Sequence, residues 1–453
     1  MLPVAFQEQM LALLGAEYPA FIAALQTPAP VSIRYSLNGR QTGSNALSTV
    51  QRVPWHPDGY YLSERPVFTL DPCFHAGAYY VQEASSMFLY EALRQIVDFS
   101  KALNVLDLCA APGGKSTLAI SMMGADSLLV SNEVIRTRVG VLRENMEKWG
   151  YPNVAVVSAE AEVFAENLPA FFDVVIADAP CSGEGLFRKD PDAVEEWSPA
   201  NVALCTGRQR RILAAAVETL APGGVLAYST CTYNRHENEE NSAWLCETFG
   251  LELLRLEIPA EWGIVETDGG YRFFPHRVRG EGFFIALFRK KEGDVSRKAM
   301  PSGFKSLHPL AKNAEPIVRP WLHPDWPAKL FQTPTGEILA LPAALENNYL
   351  ILDKALKNKW FGVNIGEIKG KDFIPSHALA ASRAIAPGLP AVDLSREQAL
   401  LFLKKENIEL PPDAPRGWAL ARFEGFNLGW MKVLPNRINN YLPAERRIRM
   451  ALP

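Results

Sequence analysis

Two cysteines set the chemical question in this chain. Cys181 lies in Ala177-Asp178-Ala179-Pro180-Cys181-Ser182-Gly183, and fifty positions on Cys231 lies in Ala227-Tyr228-Ser229-Thr230-Cys231-Thr232-Tyr233. Each follows an apolar run of strand character, so each thiol falls in a loop at a strand end. A thiol attacks as its anion, and at an ordinary pKa of about 8.5 little of it is ionised near neutrality, so a nucleophilic cysteine needs a positive or polar setting. Placement alone does not rank the two thiols.

The remaining cysteines, Cys73, Cys109, Cys205 and Cys246, form no C-x-x-C pair with each other or with the first two, and the seven histidines are scattered. No metal site is expected from that spacing, and Cys73, Cys205 and Cys246 read as packing residues. Cys109 opens the loop Cys109-Ala110-Ala111-Pro112-Gly113-Gly114-Lys115-Ser116. A phosphate-binding loop ending at Lys115 needs glycine at 109, so nucleotide hydrolysis is excluded; a G-x-G-x-x-G dinucleotide loop is absent as well. What remains is a strand ending in Asp107, a loop with Gly113 and Gly114, and Glu133 at the end of the next strand, 19 positions after Gly114. An acid at that distance suits a ribose diol, because a carboxylate accepts from two hydroxyls. S-adenosylmethionine fits, its ribose at Glu133 and its amino-acid end along the loop backbone. An acid capping the next helix accounts for Glu133 nearly as well.

The elements that must carry these residues alternate. Apolar runs at 103–108, 127–132, 153–158, 172–178 and 224–230 read as strands, and the stretches at 115–123, 135–150 and 200–220 between them as helices, the last stopped by Ala221-Pro222-Gly223-Gly224. Strands alternating with helices predict a mostly parallel, doubly wound sheet with ligands at the carboxyl ends of its strands. Asp107, Asn132-Glu133, Asp178 and Cys231 all fall there.

Composition bounds the setting. The 453 residues suggest two or three domains, and 48% hydrophobic with 21% charged residues describe a globular chain. Neither a cleavable leader nor a membrane-length apolar run is read, so a cytoplasmic location without membrane association is expected. Net charge is −4, yet from Arg416 to Pro453 seven Arg and Lys face two Glu, among aromatic residues. Such a stretch suits RNA or simply a solvated basic face.

The motifs DLCAAPGGKST, DAPCSGEG and STCTYN, with PWHPDGYYLSERP, YYVQEASSM, FPHRVRGEGFF and LGWMKVLPNRINNYLPAERRI on either side, resemble the Nol/Nop/Sun family of RNA cytosine-C5 methyltransferases. Over nearly the whole chain the pattern is similar to the family's bacterial branch acting on small-subunit ribosomal RNA. The resemblance implies a Rossmann-like class I S-adenosylmethionine-dependent methyltransferase fold, an α/β architecture with an N-terminal α/β extension and a C-terminal small β-barrel related to PUA domains. The expected division is an RNA-contacting extension at 1–97, the catalytic domain at 98–290, a linker at 291–304, an intermediate domain of irregular pattern at 305–390, and a PUA-like RNA-binding module at 391–453.

It further implies that Cys231 is the nucleophile, adding to C6 of cytosine, and that Cys181 assists product release. Asp178 is then the group at the cytosine edge and Lys115 the residue that orients it. Cys109 through Lys115, Glu133, Arg138, Glu160 and Asp178 form the expected S-adenosylmethionine set. Glu160 stands where the family has Asp followed by Gly; the retained carboxylate implies an adenine contact. Arg34, Lys432, Arg437, Arg446 and Arg447 are the expected RNA contacts, ribosomal RNA or the small ribosomal subunit the partner, no metal is required, and the chain is expected to act as a monomer. DNA cytosine methyltransferases attack with a Pro-Cys cysteine, which would make it Cys181. Two other readings stand beside the ribosomal one: a catalytically silent assembly factor that keeps the fold, and a cytosine-C5 methyltransferase acting on transfer RNA.

Overall fold

The computed structural model describes residues 2–37, 47–291, 293 and 301–452. Most of the expected linker at 291–304 therefore lies outside the described residues.

The catalytic sheet begins in its middle. Asn104–Asp107 is flanked on one side by Leu128–Asn132 and then Val154–Val157, and on the other by Phe172–Asp178 and then Leu220–Thr230, all parallel. The chain thus leaves the centre in one direction and returns to extend the sheet in the other. The crevice at that reversal opens between the carboxyl ends of Asn104–Asp107 and Phe172–Asp178, so Asp107 and Asp178 end adjacent strands. Leu128–Asn132 and Val154–Val157 are buried throughout, as strands covered on both faces must be. Phe283–Arg289 joins antiparallel beside Leu220–Thr230, followed by Tyr271–Phe273 and Val265–Glu266.

The helix Arg136–Trp149 buries Val139, Leu142, Met146 and Trp149 along one stripe and stops at Gly150, whose left-handed φ of 77° favours glycine. The helix Pro199–Thr219 starts on Ser198, whose hydroxyl accepts from Asn201 N at 3.1 Å, with proline at its first position. It does not end in the expected turn at 221–224. The strand begins at once with Leu220, and the Pro-Gly-Gly segment is taken up as a register shift against Phe172–Val174, where a residue lacking an N–H is tolerated.

The intermediate segment is more regular than its sequence suggests. His308–Pro309, Ala328–Gln332, Glu337–Pro342, Val363–Lys369 and Asp372–Pro375 form an antiparallel sheet. Lys359–Phe361 leaves it to pair antiparallel with Val154–Val157, giving the catalytic sheet's edge strand a hydrogen-bonding partner. The C-terminal sheet runs Ala391–Asp393, Gly417–Phe423, Phe426–Val433, Ile438–Asn440. It shares one core with the N-terminal sheet: Ile33, Phe68 and Tyr79 pack in a cluster with Phe402, Met431 and Leu442. At the other end, the helices Val4–Leu14 and Tyr18–Leu25 set Phe6 and Phe21 against Phe187, Trp197, Tyr233 and Phe274. They cover the segments that follow both cysteines. Among the described residues no helix is long and apolar enough to cross a membrane.

Two expected RNA contacts are corrected by burial. Arg34 is 1% exposed; its guanidinium donates to Gln82 Oε1 at 2.9 Å, Thr117 Oγ1 at 2.7 Å and Gly114 O at 3.2 Å and lies 4.8 Å from the Trp149 ring. It braces the start of the Gly114–Met122 helix and has no face for a phosphate. Arg446 is spent on an ion pair with Glu147 of the catalytic helix, which ties the C-terminal module to the catalytic domain. Arg437 and Arg447 are exposed, and Lys432 is half-buried with its ammonium 5.5 Å from the Trp418 ring.

Candidate active site

The two cysteines converge. Cys181 and Cys231 follow neighbouring parallel strands, and their sulfurs stand 3.1 Å apart, with Cys231 N donating to Cys181 Sγ at 3.4 Å. The Cys181 thiol is pushed well up by its contact with Cys231, by burial, and by the negative charge of Glu237. The two sulfurs are close enough to share a hydrogen bond, in which either can be the donor.

Beside them Lys115 Nζ is 2.7 Å from Asp178 Oδ2, and Ser229 Oγ donates to Asp178 Oδ1 at 2.7 Å. Lys115 also sits 5.2 Å from the Phe283 ring. The lysine is nearly buried while Asp178 is a third exposed, so the carboxylate is held from behind and faces the crevice. Lys115 owes its position to Gly113, whose φ of 115° lets the loop turn sharply into the Gly114–Met122 helix.

The loop Cys109–Gly114 is fastened from several sides. Ala110 N donates to Asn132 O at 2.7 Å, Asn145 Nδ2 to Pro112 O at 2.8 Å, and Arg138 to Ala111 O at 2.6 Å. Arg138 also pairs with Glu133 at 3.1 Å. Glu133 is buried, and its Oε1 accepts from Ile135 N at 2.8 Å, a bond within the turn before the Arg136–Trp149 helix; that helix start has no side-chain capping bond. Asn132 bridges Leu108 O and Ala159 O, which brings the 158–160 turn alongside; Glu160 there heads the Ala161–Asn167 helix with no capping bond and an exposed side chain. Burial pushes the Cys109 thiol up, with Asp107, Asp178 and Glu133 adding to it, so Cys109 contributes backbone rather than a reactive sulfur.

Sequence reasoning left three residues of this site unassigned. Asp107 is fully buried, and burial pushes it up to about 7; Ser116 Oγ donates to Oδ2 at 2.6 Å, while Oδ1 has no hydrogen-bond partner. A buried carboxylate oxygen without a partner is one that a ligand's donors satisfy. S-adenosylmethionine, with an ammonium and two ribose hydroxyls, fits a corner lined by Asp107 and Glu133. Ser229, two residues before Cys231, shares its strand face, a signal legible from alternation. Glu237 carries no such signal, because the acidic run around it reads as a solvated surface. Among the described residues no cluster of His, Cys, Asp and Glu is arranged to hold a metal ion.

A sheet that switches direction beside a glycine loop, with acids closing successive strands, defines the class of S-adenosylmethionine-dependent methyltransferases. Family models agree on each part: 16S rRNA methyltransferase RsmB/F over residues 95–289, the N-terminal domain of 16S rRNA methyltransferase RsmF over 2–84, and the methyltransferase RsmF PUA domain over 389–448. Ribosomal RNA small subunit methyltransferase F of Serratia proteamaculans is 32% identical over 98% of this chain and 96% of its own length. That of Shewanella loihica is 31% identical over 87% of this chain and 83% of its own. Among solved structures, a methyltransferase homolog protein from Pyrococcus horikoshii is 29% identical with a TM-score of 0.54, covering 63% of this chain and 94% of that one. NSun6 from the same organism, solved with SFG, shares the fold at 21% identity and a TM-score of 0.55, covering 64% of this chain and 99% of that one. The chain belongs to the ribosomal RNA small subunit methyltransferase F family.

Proposed function

We propose that the protein methylates C5 of a cytosine in 16S ribosomal RNA, as naked RNA or within the small subunit, acting in the cytoplasm as a monomer through a covalent bond between Cys231 and C6. The observation that carries this reading is the pair of sulfurs 3.1 Å apart, one of them three residues after Asp178, which ends its strand held against Lys115. The substrate class rests on the activity for which the relatives are named and on the PUA domain match.

C5 of cytosine is a poor nucleophile. When the Cys231 thiolate forms a bond to C6, the electrons of the C5–C6 double bond make C5 enamine-like and able to take a methyl group. Bound S-adenosylmethionine supplies an electrophilic sulfonium methyl. Asp178, anchored by Lys115 and Ser229, is placed to hold the N3 and amine edge of the base by hydrogen bonding, where charge develops. Loss of the C5 proton to solvent then returns electrons to C5–C6, and the bond to Cys231 breaks with the sulfur taking its electrons. Cys181 donates its S–H to that departing thiolate, which favours release. Glu133 and Asp107 hold the methyl donor's hydroxyls and ammonium, Arg138 keeps Glu133 and the loop together, and Glu160 meets the adenine.

Bisulfite sequencing of 16S ribosomal RNA and transfer RNA from a deletion strain tests the reading. The expected result is loss of one or more protected cytosines in 16S ribosomal RNA, restored by the wild-type protein and not by Cys231→Ala. Loss confined to transfer RNA, or no loss, would overturn it.

A further inference from the structure

Below the two thiols lies a carboxylate that the reaction as described does not use. Glu237 is 0% exposed, in the turn between the Leu220–Thr230 strand and the Glu239–Phe249 helix. Its Oε1 accepts from Ser182 Oγ at 2.5 Å and Asn234 Nδ2 at 2.6 Å; its Oε2 accepts from Ser182 N at 3.0 Å and Gln209 Nε2 at 2.7 Å. Gln209 donates as well to Pro180 O at 3.1 Å. One carboxylate therefore grips the residue after Cys181, the turn after Cys231, and, through Gln209, the residue before Cys181.

All four donors are neutral, and no Lys or Arg pairs with Glu237 among the described residues. A buried carboxylate held only by dipoles keeps its field, since no counter-charge cancels it. A hydroxyl or an amide could not accept from donors on both oxygens in this way, so a carboxylate is the group that completes the clamp. Burial pushes the Glu237 carboxyl up, while the hydrogen bonds from Ser182 and Asn234 pull it back toward the charged form.

We propose that Glu237 is a positioning residue for the two-cysteine reaction: its carboxylate clamps the loops carrying Cys181 and Cys231 in contact, and its uncancelled charge keeps the proton on Cys181. The proposal rests on the covalent reading above. The proton matters because Cys181 assists release only while it has an S–H to donate to the Cys231 thiolate. The direction of the charge effect agrees: Glu237 adds to the rise of the Cys181 thiol, after the Cys231 contact and burial. The other titratable groups facing this cluster are Tyr228 beneath it, Cys205 on the Pro199–Thr219 helix, Glu184 in the following turn, and the Asp178–Lys115 pair. The charge of Glu237 also pushes Tyr228 and Cys205 up, so Glu237→Gln eases both of these as well, and the alkylation is therefore resolved to the Cys181 peptide.

Two measurements on the full-length protein test this. In Cys231→Ala, peptide-resolved alkylation of Cys181 by iodoacetamide is followed against pH, with and without Glu237→Gln. Removing the negative charge should lower the midpoint by about one pH unit, a tenfold gain in thiolate at a given pH. In the otherwise wild-type protein, Glu237→Gln should slow release at least tenfold and leave a covalent RNA species on denaturing gels, with S-adenosylmethionine affinity retained. Gln209→Leu loosens the clamp without touching the charge, so it should slow release with no shift in the Cys181 midpoint, and it serves where Glu237→Gln does not fold. An unmoved midpoint in Glu237→Gln, or an equal shift in Gln209→Leu, would overturn the proposal. Failure of the covalent reading is separately visible, as an adduct that persists in Cys231→Ala with Glu237 intact.

Discussion

The two sides of the crevice are built by opposite means. On the cofactor side, charge meets charge: Arg138 with Glu133, Lys115 with Asp178. On the thiol side, Glu237 is held by a hydroxyl, a backbone N–H and two amides, and its charge is left to act on the sulfurs. An ion pair fixes a carboxylate's orientation and quenches its field beyond a few ångströms, which suits groups that must present oxygens to a ligand. A dipole-bound carboxylate keeps its field, which suits control of a neighbouring proton. Substitutions on the thiol side should therefore change what happens to the adduct, and those on the cofactor side how well the methyl donor and the base are held.

The largest effect tests that division directly. Cys231→Ala should abolish turnover and any covalent enzyme–RNA species, whereas Cys181→Ala should let attack and methyl transfer proceed and stall at release, so that an adduct survives denaturing electrophoresis. The double substitution should look like Cys231→Ala, because residues acting in one series of steps are not additive. An adduct seen in Cys231→Ala and missing in Cys181→Ala would exchange the two roles.

Next in size, Lys115→Met leaves Asp178 without its cation and should lower single-turnover methyl transfer by about 100-fold, the scale for losing a group that stabilises developing charge. No adduct should build up, since the release apparatus is intact; one that did would blur the two sides. Glu133→Ala should weaken S-adenosylmethionine binding by about 1.5–3 kcal/mol, the range for hydrogen bonds to a charged group, when measured by calorimetry. Unchanged affinity would leave Glu133 its pair with Arg138 and its bond from Ile135 N as structural contacts alone.

The smallest effect belongs to neither side. Replacing exposed Arg437 and Arg447 by alanine should flatten the salt dependence of RNA binding by about 0.7 of a log unit per lost contact and leave adduct formation and methyl-donor affinity unchanged. Substitution is the right tool, because the C-terminal sheet shares a core with Ile33, Phe68 and Tyr79, and truncation would open it. Equal slopes for variant and wild type would make these arginines bystanders.

The parallel sheet, the glycine loop and both cysteine loops were legible along the chain because each depends on local pattern: apolar runs long enough to be strands, and glycine where a turn needs it. The five-stranded sheet at 308–375 was not, since its strands mix polar with apolar residues and take their order from antiparallel pairing that no local pattern marks. Arg34 and Arg437 read alike in sequence, yet one is sealed beneath Trp149 and the other stands in solvent. Glu237 and Glu240 lie in one acidic run, and only packing buries the first while leaving the second exposed.

Residue type and spacing thus determined which chemistry was on offer: two thiols at strand ends, an acid for a ribose, a loop too poor in glycine for a nucleotide phosphate. Only the tertiary structure decided how those groups act. Contact between sulfurs fifty residues apart, the cation behind Asp178 and the charge left uncancelled at Glu237 all depend on distance and burial, and a proton's place depends on the field and dielectric around it.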